Sequence, residues 1–349
     1  MRRLLIPLLL ALVTTGPLAR NKIPVVADAK HVGAKHLTHN YAQRSEVQAF
    51  IEEMHAKHGF DAAALTAMFR QTKPVAAVIK AIMPPKDPGV RSWQSYRGRF
   101  IEARRIAAGR RFMQTYAAEL AAAETRYGVP ADIIAAIIGV ETIYGKQMGR
   151  FETFAALTTL AFDYPPRAEL FRRELEELLL LAHEENRSPL AYTGSYAGAL
   201  GLPQFLPSSR RRFAIDFDGD GRIDLARSAA DAIGSVANFM AEHGWDRDAP
   251  IAVAVAVAGD GVQALIDEGI SPQRTPWQMQ AVNVSLTRVG AGDTAIADRP
   301  AALIDLISPD AATEYRLGFH NFYVITRYNR SSFYAAAVMD LAAALRASE

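Results

Sequence analysis

The segment Pro130-Ala-Asp-Ile-Ile-Ala-Ala-Ile-Ile-Gly-Val-Glu-Thr-Ile-Tyr-Gly145 is a mostly apolar helix with Asp132 at its start and a second carboxylate, Glu141, near its end. Ile134 lies three and four residues before Ile137 and Ile138, and these lie four and three before Glu141, which puts all of them along a single helical face. Glu141 therefore extends a core stripe instead of a wet face. Desolvation and the negative end of the helix dipole both favour its neutral form there. A glutamic acid kept neutral near pH 7 can donate its proton to a leaving oxygen. A structural glutamate paired with an arginine would show the same pattern, and the residues alone leave both readings open.

Two further segments have the composition of a site. Around Gln204, the run Gly194-Ser-Tyr-Ala-Gly-Ala-Leu-Gly-Leu-Pro-Gln-Phe-Leu-Pro-Ser-Ser209 suits a tightly folded groove wall whose amides could hold acetamido sugars, or a plain irregular loop. In Asp216-Phe-Asp-Gly-Asp-Gly-Arg-Ile-Asp224, acidic side chains occupy positions 1, 3, 5 and 9 of a calcium loop, with Gly221 at 6 and the Arg222 carbonyl at 7. This pattern predicts a structural Ca²⁺ held by Asp216, Asp218, Asp220, Arg222 and Asp224. Arg227 stands at position 12 in place of the usual bidentate glutamate, which implies weaker affinity, or a shell completed by water or by another carboxylate, with Asp231 a candidate. A solvated acidic turn is the alternative. No organic cofactor is expected, since phosphate-loop, dinucleotide, HExxH and GxSxG motifs do not occur.

Helices must position these groups. Apolar periodicity predicts helices over 45–58, 61–69, 92–127 with a break near Gly109, the Glu141 segment, 170–183, 231–242, and from Ser331 or Ser332 to about 345. The Ala and β-branched alternation over 250–257 is strand periodicity, and short apolar runs continue to 309. The expected class is mainly α with a small β subdomain. The domain boundaries read 1–19 signal, 20–41 extended arm, 42–120 helical domain, 121–245 core with the acidic loop, 246–309 β-rich subdomain and 310–349 a C-terminal return to the core.

Arg2 and Arg3 followed by apolar residues 4–13 and small residues up to Ala19 have the plan of a secretory signal. Its removal would take the formal charge from +2 to 0. No basic block interleaved with aromatics is present, so nucleic acid is not an expected partner. With no cysteine in the 349 residues, disulfides, thiolate metal sites and a lipidated cysteine are excluded.

Taken together, these motifs resemble the membrane-bound lytic murein transglycosylase B family. The resemblance runs through Tyr127-Gly-Val-Pro130, Gly139-Val-Glu-Thr-Ile-Tyr-Gly145, Thr159-Leu-Ala-Phe-Asp-Tyr-Pro165, Ser195-Tyr-Ala-Gly-Ala-Leu-Gly201 and Pro203-Gln-Phe-Leu-Pro-Ser-Ser209. It continues through residues 216–224, Asp231-Ala-Ile-Gly-Ser-Val-Ala-Asn238, His243-Gly-Trp245, Asn321-Phe-Tyr-Val-Ile-Thr-Arg-Tyr-Asn329 and Tyr334-Ala-Ala-Ala-Val338, spanning about 42–346. It implies a periplasmic, monomeric enzyme with a lysozyme-like core and an added helical domain. That enzyme would cut the N-acetylmuramic acid–N-acetylglucosamine β-1,4 bond of peptidoglycan strands and leave 1,6-anhydromuramoyl ends. Cell-wall synthesis or remodelling proteins are implied as further partners. By the resemblance, Glu141 is the acid and then the base. Ser195 and Gln204 position the sugar, Tyr328, Asn329 and Tyr334 line the cleft, and Arg167 suits a lactyl or peptide carboxylate. Pro166, Phe239 and Ala226 depart from residues common in the family. A muramidase-type hydrolase using Glu141, or a noncatalytic peptidoglycan-binding protein, are the competing readings.

Overall fold

A computed structural model of the chain describes residues 40–84, 89, 91–281, 285–286 and 294–347. The expected signal segment, and most of the expected arm with His31, His36 and His39, lie outside those residues. Tyr41, expected at the end of the arm, is fully buried in a short 3-10 turn, Tyr41–Gln43, and its hydroxyl donates to Asp163.

Helices α1 (Ser45–His58), α2 (Ala62–Gln71) and α3 (Ala76–Ile82) come first. They are followed by α4 (Trp93–Gly98), α5 (Ala103–Thr115), α6 (Ala117–Tyr127) and α7 (Ala131–Thr142). A short strand β1 (Phe151–Glu152) leads into α8 (Thr153–Asp163) and α9 (Ala168–Glu184), and pairs antiparallel with β2 (Thr193–Gly194). Helices α10 (Pro207–Phe213) and α11 (Ala229–Glu242) flank the acidic loop. The small subdomain contains β3 (Ala252–Val255), β4 (Val257–Ala258), α12 (Val262–Asp267), α13 (Pro276–Gln280), β5 (Ser285–Leu286), α14 (Thr294–Ala297), β6 (Ala302–Ser308) and β7 (Ala311–Gly318). The chain then returns through α15 (His320–Tyr328) and α16 (Ser332–Arg346), the latter capped by the Ser331 hydroxyl, which accepts from the Tyr334 N–H.

The architecture is mainly α with a small β subdomain, and three differences from the sequence reading have clear causes. The antiparallel sheet, ordered β3-β7-β6, runs to Gly318 and so past 309, because β7 is the central strand that both others need. The subdomain also carries three short helices that local alternation does not reveal. In the 92–127 stretch the breaks fall around 99–102 and at Tyr116, while Gly109 lies inside α5. That glycine is a packing notch. A Cβ built there would lie 2.2 Å from the Tyr144 hydroxyl and 2.5 Å from a Leu345 methyl.

Three apolar clusters hold the molecule together, and they cut across the linear boundaries. The first surrounds α7 with side chains from α4–α6, α11, β6, α15 and α16. The second joins α1–α3 to α8 and α9, so residues 42–83 pack on helices that follow the Glu141 segment. The third is the inside of the β subdomain. The loop over 194–206 crosses the seam, with Ala197 and Leu200 in the second cluster and Leu202 and Phe205 in the first. A wall built this way has its position set by both cores.

At an unhindered position inside a helix, Gly→Ala would stabilise the chain by about 1 kcal/mol. For Gly109→Ala the notch predicts the reverse, a loss of about 1–3 kcal/mol from overpacking against Tyr144 and Leu345, read as a lower midpoint in thermal denaturation.

Candidate active site

Helix α7 is apolar on all sides, as befits a helix at the centre of a core. From Asp132 to Thr142 each residue is buried except Glu141, which keeps part of its surface open. Immediately after it the backbone reverses: Ile143, Tyr144 and Gly145 all have left-handed φ, at 52°, 55° and 84°. For a β-branched residue such as Ile143 this conformation is an outlier costing about 1–3 kcal/mol. The surroundings must therefore hold the turn. Thr142 contributes, donating through Oγ1 to the Leu202 carbonyl (3.0 Å) and accepting from the Gly145 N–H (3.0 Å).

Tyr334, fully buried on α16, donates its hydroxyl to Glu141 Oε1 at 2.6 Å. Its ring lies nearly parallel to that of Tyr328, 6.3 Å away. Tyr328 packs against Phe205 and Phe239 and donates its hydroxyl to the Pro203 carbonyl. The charge of Glu141 is felt by Tyr96, Tyr328 and Tyr334, each of whose hydroxyls is pushed up mainly by burial and further by that carboxylate. Burial raises the Glu141 carboxyl to about 7, against the Tyr334 hydrogen bond, which favours the ionised form. Among the described residues Glu141 enters no salt bridge, so the arginine-paired glutamate left open by the pattern has no counterpart in this environment.

The other expected groups join this centre in steps. Gln204, nearly buried at a φ of 53°, donates its amide nitrogen to the Gly201 and Met148 carbonyls at 2.9 and 3.2 Å. Its amide oxygen remains as an acceptor. Ser195 Oγ accepts from the Ala197 and Ala199 N–H groups at 3.3 and 3.0 Å, leaving its O–H to donate. Asn329 ends α15 beside Tyr328, and its side-chain oxygen is buried with no hydrogen-bond partner among the described residues. An orphaned acceptor of that kind costs about 1–3 kcal/mol and calls for an explanation. Arg167 lies farther out, ending the Pro165–Arg167 turn, where its charge acts on Tyr196. Glu141, Tyr328 and Tyr334 thus form one contact group, Gln204 and Ser195 belong to the wall beside it, and Arg167 acts on Tyr196 of that wall. Two hollows of about 490 and 610 Å³, at Glu268–Ala281 and along β3 and β7, lie on the small subdomain and include none of these residues.

In the acidic loop, the carboxylates that converge are Asp216, Asp218 and the buried Asp231, whose ligand atoms lie within 4.8 Å of one another. Among the described residues Asp220 and Asp224 are not part of this carboxylate group. Asp220 Oδ1 instead accepts from the Arg222 N–H, and Asp224 Oδ1 from those of Ala226 and Arg227. Asp231 also accepts from the N–H groups of Phe217 and Asp224, which binds the loop to α11. From the same loop the Leu225 carbonyl accepts the Leu202 N–H at 2.8 Å. Leu202 therefore links the acidic loop to Thr142, next to Glu141.

Tyr96 was not singled out in the sequence, because its α4 segment is remote in the chain and carries no local motif. Its proximity to Glu141 arises only when α4 packs in the first cluster.

The Glu141 carboxyl also affects stability. Its folded pKa of about 7 exceeds the ordinary value of 4.5, so the folded chain binds the proton more tightly. Stability is then lost as pH rises from 4.5 through 7 and stays lower above that window. E141Q, which has no charge to bury, is expected to melt above wild type at pH 8 by on the order of 1–3 kcal/mol, and to match it below pH 4. Thermal melts at the two pH values test this.

Residues 42–343 match the transglycosylase SLT domain family. The membrane-bound lytic murein transglycosylase B of Escherichia coli K12 is 37% identical over 325 residues, covering 88% of this chain and 84% of that protein. The crystal structure of the soluble lytic transglycosylase SltB1 from Pseudomonas aeruginosa is similar with a TM-score of 0.78 and 42% identity, over 86% of this chain and 98% of that one. An Escherichia coli lytic transglycosylase in complex with calcium aligns with a TM-score of 0.76 and 37% identity, over 88% of this chain and 95% of that one. The chain belongs to the SLT lytic murein transglycosylase family.

Proposed function

We propose that in this member of the SLT transglycosylase family Glu141 is the one group that both gives and takes the proton. The chain is a peptidoglycan lytic transglycosylase. It cleaves the β-1,4 bond between N-acetylmuramic acid and N-acetylglucosamine and leaves a 1,6-anhydromuramoyl end. The observation that carries the assignment is the Tyr334–Glu141 hydrogen bond within an apolar pocket that raises the carboxyl to about 7.

The chemistry balances on that single group. Protonated Glu141 gives its proton to the glycosidic oxygen as the C1–O bond breaks. The muramoyl C6 hydroxyl forms the new bond to C1 and returns its proton to the Glu141 carboxylate. The acid is regenerated and no water is consumed. Between the two transfers Glu141 is ionised, and the Tyr334 hydroxyl stabilises that state. A pKa near the working pH suits a group that must act in both forms. Retaining glycosidases place a second carboxylate about 5–5.5 Å from the first. A like charge at that range would raise the Glu141 pKa; among the described residues the shift comes from burial, opposed by the Tyr334 hydrogen bond.

The wall residues are assigned to the sugar in the same reading. The Ser195 hydroxyl, the Gln204 amide oxygen and the orphaned Asn329 oxygen offer one donor and two acceptors for hydroxyl and acetamido groups. Tyr328 and Tyr334 form the apolar side, and Arg167 suits a lactyl or peptide carboxylate. The partners are peptidoglycan strands, which places the enzyme in the periplasm. Among the described residues no helix is long and apolar enough to cross a membrane.

A structural Ca²⁺ in the acidic loop is also proposed. Asp216, Asp218 and Asp231 supply hard oxygen donors that fit such an ion, and the relative in complex with calcium supports it. The ion would neutralise their mutual repulsion and hold the loop that Leu225 ties to the wall.

Wild type digesting peptidoglycan should release anhydromuropeptides by mass spectrometry, whereas E141Q should release almost none. Full lysis by E141Q would end the assignment. Y334F removes a hydrogen bond to the ionised form, so the Glu141 pKa should rise and the alkaline limb of the pH–rate profile should move to higher pH. Calcium at about 100 times its Kd should stabilise wild type by about 2.7 kcal/mol, and D231A should lose most of that gain in thermal melts with and without a chelator.

A further inference from the structure

We infer that Arg105, on α5, is a positioning residue that sets how Glu141 is presented to the cleft; this rests on Glu141 being the reacting acid. The last turn of α7 carries Glu141, and there the Gly139 carbonyl accepts the Ile143 N–H at 3.1 Å. Arg105 adds a second donor from outside the helix: Nη1 donates to the Gly139 carbonyl at 2.6 Å and, at the 3.5 Å limit, to that of Val140, while Nη2 donates to the Arg99 carbonyl at 3.2 Å. The peptide groups so held immediately precede Glu141.

The burial of this arginine is costly. Its side chain is 4% exposed, its Nε has no hydrogen-bond partner, and desolvation lowers its pKa. Its donors go to backbone carbonyls, with no carboxylate in a salt bridge among the described residues. Replacing a buried charge by an apolar side chain of similar volume is often neutral or stabilising, so packing alone does not account for a guanidinium here. Placing a cation against the negative end of α7 recovers part of the cost.

The same face of α5 clamps the far side of the turn. Arg105, Gly109 and Phe112 are spaced i, i+4, i+7 and so share one face. The Tyr144 ring contacts Phe112 (centroids 5.2 Å apart), and its hydroxyl enters the notch between Gly109 and Gly139. A Cβ on Gly139 would lie 2.4 Å from that hydroxyl. Ile143 and Tyr144, both in left-handed conformation, would relax if released. Arg105 before Glu141 and Tyr144 after it thus hold the carboxylate where Tyr334 can reach it.

The test compares R105M, R105K and Y144L with wild type and E141Q. For each, kcat and KM are measured on soluble glycan strands, along with the pH–rate profile and the thermal midpoint. With Glu141 released toward water, kcat should fall about 10- to 100-fold in R105M at nearly constant KM, the range expected of a small misplacement. The alkaline limb should also move to lower pH as the carboxyl loses desolvation. R105K, keeping a charged donor, should recover part of both. Y144L should shift the limb in the same direction while leaving Arg105 in place, and it keeps the test open if R105M folds poorly. Wild-type kcat and an unmoved limb in folded R105M, or losses that only follow the folded fraction, would overturn the inference. An E141Q enzyme that remained lytic would instead overturn the reading of Glu141 on which it rests.

Discussion

The hydrogen bond from Tyr334 to Glu141 sets the terms for the rest of the molecule. A carboxyl that is to hold its proton near pH 7 must be kept from water, yet the substrate must reach it. Burying α7 from Asp132 to Thr142 except for one side of Glu141 meets both demands. The dry surroundings push the carboxyl up, and the hydroxyl on the fully buried Tyr334 draws it back. Tyr334 can do this only because α16 packs on α7 within the first cluster. The global fold is therefore part of the acid's chemistry, and the stability given up by the charged form at alkaline pH is part of its cost.

Precision at this centre comes from elements that meet at a seam. The wall over 194–206 takes its apolar anchors from two cores, so its position depends on both. Leu202 is where three constraints converge: its N–H goes to Leu225 of the acidic loop, its carbonyl takes the Thr142 hydroxyl, and its side chain lies in the first cluster. The acidic loop is thus connected to the turn after Glu141 through two hydrogen bonds and one residue. A metal there would stiffen the wall without touching the reacting atoms.

What could be read in the sequence followed the range of each signal. The helix stripe that singled out Glu141 is local, and α1, α9, α11 and α16 were expected within a few residues of where they stand. Gly109 was misread because a helix-breaking glycine and a glycine that admits a neighbour look alike until Tyr144 and Leu345 are seen against it. The calcium-loop pattern led to Asp216 and Asp218, but the backbone turns engage Asp220 and Asp224, and the third converging carboxylate, Asp231, comes from α11. Asp231 could only be named as a candidate because its distance depends on how the helix folds back. Tyr96 and Arg105 carried no local signal at all. Both act through long-range packing of α4 and α5 against α7.

The position of the Glu141 pKa is itself an argument for one group in two roles. A carboxyl near its ordinary value would hold too little proton at neutral pH to protonate a leaving oxygen. One raised several units further would protonate readily but would resist the ionised state from which it must accept the C6 proton. Burial alone drives toward the second extreme. The Tyr334 hydrogen bond opposes it, and a backbone clamped on both sides keeps the two groups in register. In the proposed reading, balance between a desolvating pocket and a single aimed hydroxyl lets one glutamate serve where other glycosidases use a pair.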